Sequence, residues 1–224
     1  MIPPFHARTP RAQAEMGRWA SVYDALAGVL LLGQEQAVRQ KTVELAQVRP
    51  GDRLLDVGCG TGALTLVAWA QAGPTGEVYG IDAAPAMIDL ARRKAAQANA
   101  RVEFKIGAVE QIPFPDSYFD VVLNSFMIYN LPNDDLRRKG FAEMRRVLRP
   151  GGRLVVVDFE LPAQPGLRRL ATLLLGRRVV QTEGCTLSSM MAEAGLVEIK
   201  AGQIALEVVT FAHGKAAGAE RAHI

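Results

Sequence analysis

The most constraining feature of the chain is an apolar segment, residues 54–57, that runs into a turn with glycine at positions 58, 60 and 62. Helix-forming residues follow from Ala63, so the stretch predicts a buried strand, a tight turn and a helix. Glycine lets the backbone turn sharply, and it lets a ligand lie against the turn with no Cβ in between. A second apolar segment, residues 78–81, ends in Asp82, 20 residues beyond Gly62. An acid at that strand tip is placed to bind two ribose hydroxyls, which predicts the nucleoside-binding half of an open α/β sheet.

The spacing of the glycines narrows the choice of ligand. A dinucleotide-binding turn usually carries the pattern G-x-G-x-x-G and holds a pyrophosphate at the N-terminus of the following helix. Here the glycines alternate, and Asp56 stands directly before them. An ordinary strand-to-helix turn can also contain alternating glycines, but the two flanking acids, Asp56 and Asp82, favour a ligand-binding turn.

Length and charge limit the other possibilities. A chain of 224 residues is long enough for one well-buried domain and short for two. A dedicated nucleic-acid binder gathers a large basic excess on one face, whereas the net charge here is only +3. We therefore expect a small-molecule partner and no nucleic acid.

The cysteines and histidines indicate a reducing compartment and no metal site. Cys59 lies inside the glycine turn, so Cys59 and Cys185 are expected to be free thiols. No cluster of cysteine and histidine has the spacing of a zinc site. Residues 1–9 lack the features of a secretory signal, and the apolar run 25–32 is too short to span a bilayer. These patterns predict a cytoplasmic protein.

Strand and helix patterns alternate along most of the chain. The first 50 residues are rich in helix formers at 12–20 and 35–47, which predicts a helical cap over the active site. Alternation of this kind then favours a doubly wound sheet with right-handed crossovers. The predicted strands are 53–57, 77–81, 101–106, 119–124 and 153–158, and the predicted helices are 63–72, 85–98 and 133–148.

The C-terminal region has a different pattern. A helix at 188–194 precedes two strands, 197–200 and 204–211, that are separated only by Ala201-Gly202-Gln203. Two strands so close in sequence must be antiparallel, because a parallel pair needs a long crossover. The main domain is therefore predicted to span residues 51–213, with a disordered tail at 214–224.

Three further segments carry a family resemblance. Residues 112–120 resemble the loop before the fourth strand of class I S-adenosylmethionine-dependent methyltransferases, and residues 148–154 resemble the turn before their fifth. The antiparallel C-terminal pair is similar to their sixth and seventh strands. Tyr23-Asp24 adds a likeness to the ubiquinone/menaquinone-biosynthesis methyltransferases within this group. The resemblance covers roughly residues 20–212, and it implies a Rossmann-like, doubly wound, mostly parallel seven-stranded sheet with an antiparallel C-terminal strand pair.

The resemblance also implies a cofactor, S-adenosylmethionine, and a set of residues around it. The implied contacts are Asp56, Gly58, Cys59, Gly60 and Gly62 with the methionine part, Asp82 with the ribose, Ala83 and Met87 with the adenine, backbone atoms of Ala108 and Val109 with the ring edge, and Asn124 and Ser125 beside the cofactor. The family usually has an acid at the position of Ala108, so this chain lacks that side-chain contact with the adenine amino group.

Methyl transfer from a sulfonium is a direct displacement that depends mainly on in-line geometry and exclusion of water. The sequence therefore need not contain a recognisable catalytic residue, and we assign none. Tyr23 and Tyr129 are the candidates for lining the acceptor site, although buried tyrosines with a bonded hydroxyl would be equally consistent with the sequence. The expected acceptor is a small apolar molecule, such as a quinone precursor, phenol, lipid or amine.

Residues 168–178 form an apolar run flanked by arginines. Such a segment can lie at a membrane surface, cover an apolar substrate or pack on the sheet as an ordinary amphipathic helix.

The sequence also leaves two other functions of the protein open. The glycine spacing disfavours a nicotinamide-dependent oxidoreductase. A catalytically silent member of the fold would be distinguished from an enzyme by measuring turnover, because fold alone does not establish activity. The oligomeric state is not predicted.

Overall fold

The computed structural model describes residues 33–159, 186–205 and 209–218. Within them lie one seven-stranded sheet, the helices that flank it and a short 3₁₀ helix. In chain order the elements are α1 (Glu35–Leu45), β1 (Arg53–Val57), α2 (Ala63–Ala72), β2 (Glu77–Asp82), α3 (Pro85–Gln97), β3 (Val102–Ile106), β4 (Phe119–Ser125), the 3₁₀ helix (Ile128–Asn130), α4 (Asp134–Val147), β5 (Leu148–Phe159), α5 (Leu187–Glu193), β6 (Leu196–Ala205) and β7 (Val209–Ala216).

The order of the strands places a crevice at the centre of the sheet. The strands follow the order β3-β2-β1-β4-β5-β7-β6, with β1 to β5 parallel and β7 antiparallel to both β5 and β6. The chain winds outward from β1 to β3 and then returns to β4 on the other side of β1. Ligands of open α/β sheets bind at such a switch point, outside the carboxyl ends of the strands. The predicted fold class is confirmed.

Alternating residues of the central strands fill two separate cores. Leu55 of β1 packs into one core with Phe141 of α4, whereas Leu54 packs into the other with Leu64 of α2. Both faces of β1 are therefore covered, as expected for parallel strands that read as nearly continuous apolar runs. This double burial leaves the carboxyl ends of the strands as the place where polar side chains can meet a ligand.

The predicted turn of the C-terminal hairpin is wrong. The sequence predicts this turn at Ala201-Gly202-Gln203, but β6 continues to Ala205 and β7 begins at Val209. Gly202 pairs with Phe211 on β7, and a Cβ on Gly202 would lie 2.9 Å from Cε1 of that ring. The glycine therefore makes room for an aromatic ring on the neighbouring strand rather than forming a turn.

The last strand is also longer than predicted and includes residues expected to be disordered. Residues 214–216, which we assigned to the tail, belong to β7, and Gly214 pairs with Leu154 of β5. A Cβ on Gly214 would approach Cγ1 of Ile199 to 3.2 Å. The small residues at this position thus allow close packing between strands, which their composition alone did not distinguish from disorder.

Some predictions fall outside the described residues. These are the helix at 12–20, Tyr23, the arginine-flanked segment 168–178 and the end of the tail at 219–224. Of the predicted cap, α1 is described, and its Val38 and Val43 pack in the same core cluster as Leu54. The cap over the active site stays a prediction. None of the helices in the described ranges combines the length and apolarity needed to cross a bilayer.

Candidate functional site

The three glycines after β1 all adopt left-handed backbone conformations, but their surroundings differ. Gly58, Gly60 and Gly62 have φ angles of 72°, 52° and 79°. A Cβ on Gly62 would lie 3.0 Å from both Ala91 and the ring of Phe104, so this glycine allows α2 to pack closely on its neighbours. A Cβ on Gly60 would meet no protein atom within 4 Å. Gly60 therefore opens onto free space where a ligand can approach the backbone.

Asp82 joins the tip of β2 to the glycine turn. Its Oδ2 accepts a hydrogen bond from the Gly60 N–H at 3.0 Å, and its Oδ1 accepts one from the Ala84 N–H at 2.8 Å. Both carboxylate oxygens are thus held by backbone amides on two separate segments. A carboxylate can accept more than two hydrogen bonds, so this side chain can be fixed in place and still bind ligand hydroxyls.

A cavity opens at the carboxyl ends of β1, β2, β3 and β4. Together with the open space at its mouth, it holds about 690 Å³ that no protein atom fills. Most of the residues implied by the family resemblance lie on its wall. Those residues are Gly58, Gly60, Asp82, Ala83, Met87, Ala108, Val109 and Ser125.

The other implied residues are close by but do not line the cavity. Cys59 is buried, and burial raises the pKa of its thiol well above the ordinary value. Gly62 starts α2 and packs on α3. Asn124 is fully buried and donates from Nδ2 to the Val57 carbonyl at 2.6 Å. The side chains of Cys59 and Asn124 thus lie beneath the turn or within the sheet, and the cofactor contacts of these three residues stay predictions.

Asp56 lies beneath the glycine turn. Its side chain is 1% exposed, and its Oδ2 accepts a hydrogen bond from Thr65 Oγ1 at 2.6 Å. Its Oδ1 is buried without a hydrogen-bond partner among the described residues. Burial raises the pKa of Asp56 to about 7, the Thr65 bond opposes this rise, and the nearby charge of Asp82 adds to it. Asp56 therefore does not line the cavity, and its carboxyl group affects the electrostatic potential beneath the turn.

The raised pKa of Asp56 predicts a pH-dependent loss of stability. Its carboxyl ionises near pH 7 in the folded protein but at about pH 4 in the unfolded chain. As the pH rises through this window the unfolded state ionises first, so the free energy of unfolding falls. Between pH 5 and pH 8 the free energy of unfolding of the unsubstituted protein is expected to fall by about 2–4 kcal/mol more than that of Asp56→Asn, because asparagine does not ionise. Urea unfolding at the two pH values measures this, and equal pH dependence in both proteins would contradict it.

Two tyrosines were predicted to line the acceptor side of the site. Tyr23 lies outside the described residues, as noted above. Tyr129 lies within the 3₁₀ helix, between Ile128 and Asn130, but its side chain is not among the described groups. The roles of both tyrosines stay predictions.

Several wall residues were missed by the sequence analysis. They are Gly107, Glu110, Phe126, Met127, Asn130 and Leu131. Gly107 and Glu110 follow the end of β3, and the other four residues follow the end of β4. The rule that ligands bind outside the carboxyl ends of the strands could have identified both segments, but it does not specify which of their residues face inward.

These features define a class of protein: an open, doubly wound α/β sheet with a nucleoside-type cavity between a glycine turn and a strand-tip acid. The chain belongs to the ubiE/COQ5 methyltransferase family, whose model matches residues 11–175. The family expected from the sequence is thereby confirmed. The "Ubiquinone/menaquinone biosynthesis C-methyltransferase UbiE" of Burkholderia mallei (strain SAVP1) is 38% identical over 146 residues, 65% of this chain and 59% of that protein. The chain thus spans about 59% of the length of this curated relative.

Solved structures share the fold at low sequence identity. A SAM-dependent methyltransferase from Aquifex aeolicus superposes with a TM-score of 0.60 at 20% identity, covering 80% of this chain and 89% of that one. The cyclase SpnF superposes with a TM-score of 0.66 at 20% identity, covering 82% of each chain. One of these proteins is named for a methyl transfer and the other for a cyclisation, so the fold alone does not select a reaction.

Proposed function

We propose that this protein is a methyltransferase that uses S-adenosylmethionine to methylate a small apolar acceptor, a quinone precursor. The observation that carries the proposal is the clamp in which Asp82 accepts hydrogen bonds from Gly60 and Ala84 on the wall of the cavity. The clamp fixes a carboxylate where two ribose hydroxyls can donate to it, directly beside a glycine that leaves space for a ligand.

The remaining wall residues fit the parts of this cofactor. Ala83 and Met87 line the cavity after β2, and Ala108 and Val109 line it after β3. Their apolar surface suits a flat purine ring. The open backbone at Gly60 suits the methionine part. When bound, S-adenosylmethionine supplies an electrophilic methyl group on a sulfonium.

The chain's own contribution to the reaction is orientation and exclusion of water. Phe126, Met127 and Leu131 add apolar surface on the side of the cavity that follows β4. Such a wall favours an apolar acceptor and limits access of water to the reacting centre. A reduced quinone precursor whose ring carbon is activated by an ionised hydroxyl would suit such a wall. An already ionised acceptor would need no general base for the attack.

The curated relatives support this acceptor class by name. The Burkholderia mallei protein is named a ubiquinone/menaquinone biosynthesis C-methyltransferase, and the family model covers the cavity-forming part of this chain. A carbon acceptor on a reduced quinone ring is therefore preferred over the phenol, lipid and amine alternatives.

Binding and turnover test the proposal separately. Calorimetric titration with S-adenosylhomocysteine is expected to give micromolar affinity, with no heat from NAD. Turnover is then measured as transfer of labelled methyl from S-adenosylmethionine to a reduced naphthoquinone that carries a short prenyl chain and one unsubstituted ring carbon. Binding without turnover on this or any quinol would favour the catalytically silent alternative. Binding of NAD alone would favour the oxidoreductase.

Glu110 gives a test of how the adenine ring is recognised. Ala108 offers no side-chain acceptor, and Glu110 is the carboxylate on the same segment that lines the cavity. We propose that it accepts a hydrogen bond from the adenine amino group. Glu110→Ala is expected to weaken S-adenosylhomocysteine about 10- to 100-fold, as is usual for a hydrogen bond to a charged group. S-inosylhomocysteine, which has an oxygen in place of the amino group, should bind both proteins equally. Equal weakening of both ligands would contradict this role.

A further inference from the structure

The chain leaves β4 through a backbone conformation that is unusual for an aromatic residue. Phe126 has a φ of 53°, in the left-handed region. A bulky side chain enters this region at a cost of roughly 1–3 kcal/mol and stays there only when surrounding contacts hold it. Phe126 also lies on the cavity wall. Strain at such a place indicates that the conformation itself serves the site.

Three contacts hold Phe126 in this conformation. Its N–H donates to the Val157 carbonyl at 2.8 Å, and its ring packs on Phe159 with centroids 4.6 Å apart. Both contacts come from β5, in the body of the sheet. The third comes from the 3₁₀ helix, where Nδ2 of Asn130 donates to the Phe126 carbonyl at 2.7 Å.

Asn130 differs from the other two partners because it is exposed and lies on the cavity wall itself. Its side chain contributes to the turn through this hydrogen bond to the Phe126 carbonyl. The backbone N–H of Asn130 also donates to the Met127 carbonyl at 3.0 Å. Asn130 therefore closes the turn that contains Phe126 and Met127.

The closed turn sets the position of Met127 against the glycine turn. A Cβ on Gly58 would lie 2.7 Å from Cγ of Met127, so the methionine side chain packs directly over that glycine. Ser125, on the other side of Phe126, also lines the cavity. The Phe126 conformation thus places two wall residues beside the backbone proposed to hold the methionine part of the cofactor.

We infer that Asn130 is a positioning residue for methyl transfer, which acts by holding the Phe126 carbonyl and thereby the wall formed by Ser125 and Met127. The inference rests on the proposed function. A misplacement of about 1 Å in a reacting geometry can lower the rate about 100-fold. The groups proposed to supply most of the cofactor affinity, the Asp82 clamp and Glu110, do not belong to this turn. The role therefore predicts a loss in kcat with little change in cofactor affinity.

A matched pair of substitutions separates this role from general destabilisation. Asn130→Asp keeps the size of the side chain but removes the donor that Phe126 needs. Asn133→Asp is the control, because the side chain of Asn133 caps α4 as an acceptor for the Leu136 N–H, a role that aspartate fills equally well. Relative to Asn133→Asp, Asn130→Asp is expected to lower kcat on the reduced naphthoquinone at least about tenfold. The dissociation constant for S-adenosylhomocysteine should stay within about threefold.

Two further readouts report on the turn itself. The Phe126 amide should exchange with solvent faster in Asn130→Asp than in Asn133→Asp, and this measurement needs neither cofactor nor acceptor. A protonated aspartate can donate to the Phe126 carbonyl again, so the ratio of the two kcat values should rise as the pH falls to about 4, where an exposed aspartate is about half protonated.

The outcomes distinguish the inference from the proposed function. Equal kcat and equal amide exchange in the two variants would overturn the positioning role while leaving the methyltransferase proposal intact. An equal loss of kcat and cofactor affinity in Asn130→Asp would overturn it in favour of direct contact with the cofactor. An unsubstituted protein that neither binds S-adenosylhomocysteine nor turns over would overturn the proposed function, and the positioning role with it.

Discussion

Asp82→Ala is expected to weaken binding of S-adenosylhomocysteine at least about 100-fold, because it would remove the two proposed hydrogen bonds from ribose hydroxyls to a charged acceptor. The substitution also releases the Gly60 and Ala84 amides that the carboxylate holds at 3.0 and 2.8 Å. The Gly58 and Cys59 amides still donate to the Ile81 carbonyl of β2, but the Gly60 end of the turn is no longer held, so the cofactor would have to reorder it on binding. Calorimetric titration of the purified variant measures the loss.

The control for this substitution is Asp89→Ala. Asp89 lies on α3, its side chain is 64% exposed, and it pairs with Arg92 at 3.9 Å. An exposed pair of this kind contributes little to stability, so the variant should fold and bind as the unsubstituted protein does. Asp82→Asn adds a second comparison, since it keeps the shape of the side chain but lacks the charge. Affinity within about threefold of the unsubstituted protein in Asp82→Ala would be incompatible with the proposed ribose contact.

The sequence predicted the parts of the fold that depend on local pattern. The bounds of β1 and α2 are as predicted, because a buried apolar run ends at a glycine turn and a run of helix formers ends at Gly73. The antiparallel arrangement of β6 and β7 was also predicted correctly, since the short connection permits no parallel crossover.

The missed features depend on contacts between residues that are distant in sequence. Gly202 was read as a turn residue because the ring of Phe211, which lies over it in the sheet, is not adjacent in the chain. The left-handed Phe126 could not be predicted either, since no propensity places an aromatic residue there. It is held by Val157 and Asn130, and these partners are known only once β5 and the 3₁₀ helix are in place.

The same reasoning applies within the candidate site. Sequence motifs located the cavity because its glycines and Asp82 lie at the ends of recognisable strands. The motifs did not distinguish the residues that line the cavity from those that are buried beneath its wall. Asp56 and Asn124 have polar side chains at strand ends, yet both are buried and bonded to Thr65 and Val57. Which side of the backbone a polar group occupies follows from packing that the motif does not encode.

Two alanine substitutions in the glycine turn should separate stability from binding. Gly60 and Gly62 both have positive φ angles, 52° and 79°, so alanine at either position costs about 1–2 kcal/mol in backbone strain. At Gly62 the new Cβ would also lie 3.0 Å from Ala91 and Phe104, which are buried side chains that cannot move freely. Gly62→Ala is therefore expected to lower the free energy of unfolding by about 3–4 kcal/mol in total.

At Gly60 the new Cβ meets no protein atom within 4 Å and enters the cavity wall instead. Gly60→Ala should lower the free energy of unfolding only by the cost of backbone strain. Its methyl group would occupy space that the proposed cofactor needs. We expect its affinity for S-adenosylhomocysteine to fall at least about tenfold, from steric exclusion and displacement of the amide that Asp82 holds. Urea unfolding and calorimetric titration of both variants, under one set of conditions, measure the two effects. If Gly60→Ala bound S-adenosylhomocysteine as tightly as the unsubstituted protein, the cofactor would not lie against this turn. If Gly62→Ala were as stable as the unsubstituted protein, α2 could move away from α3 at little cost.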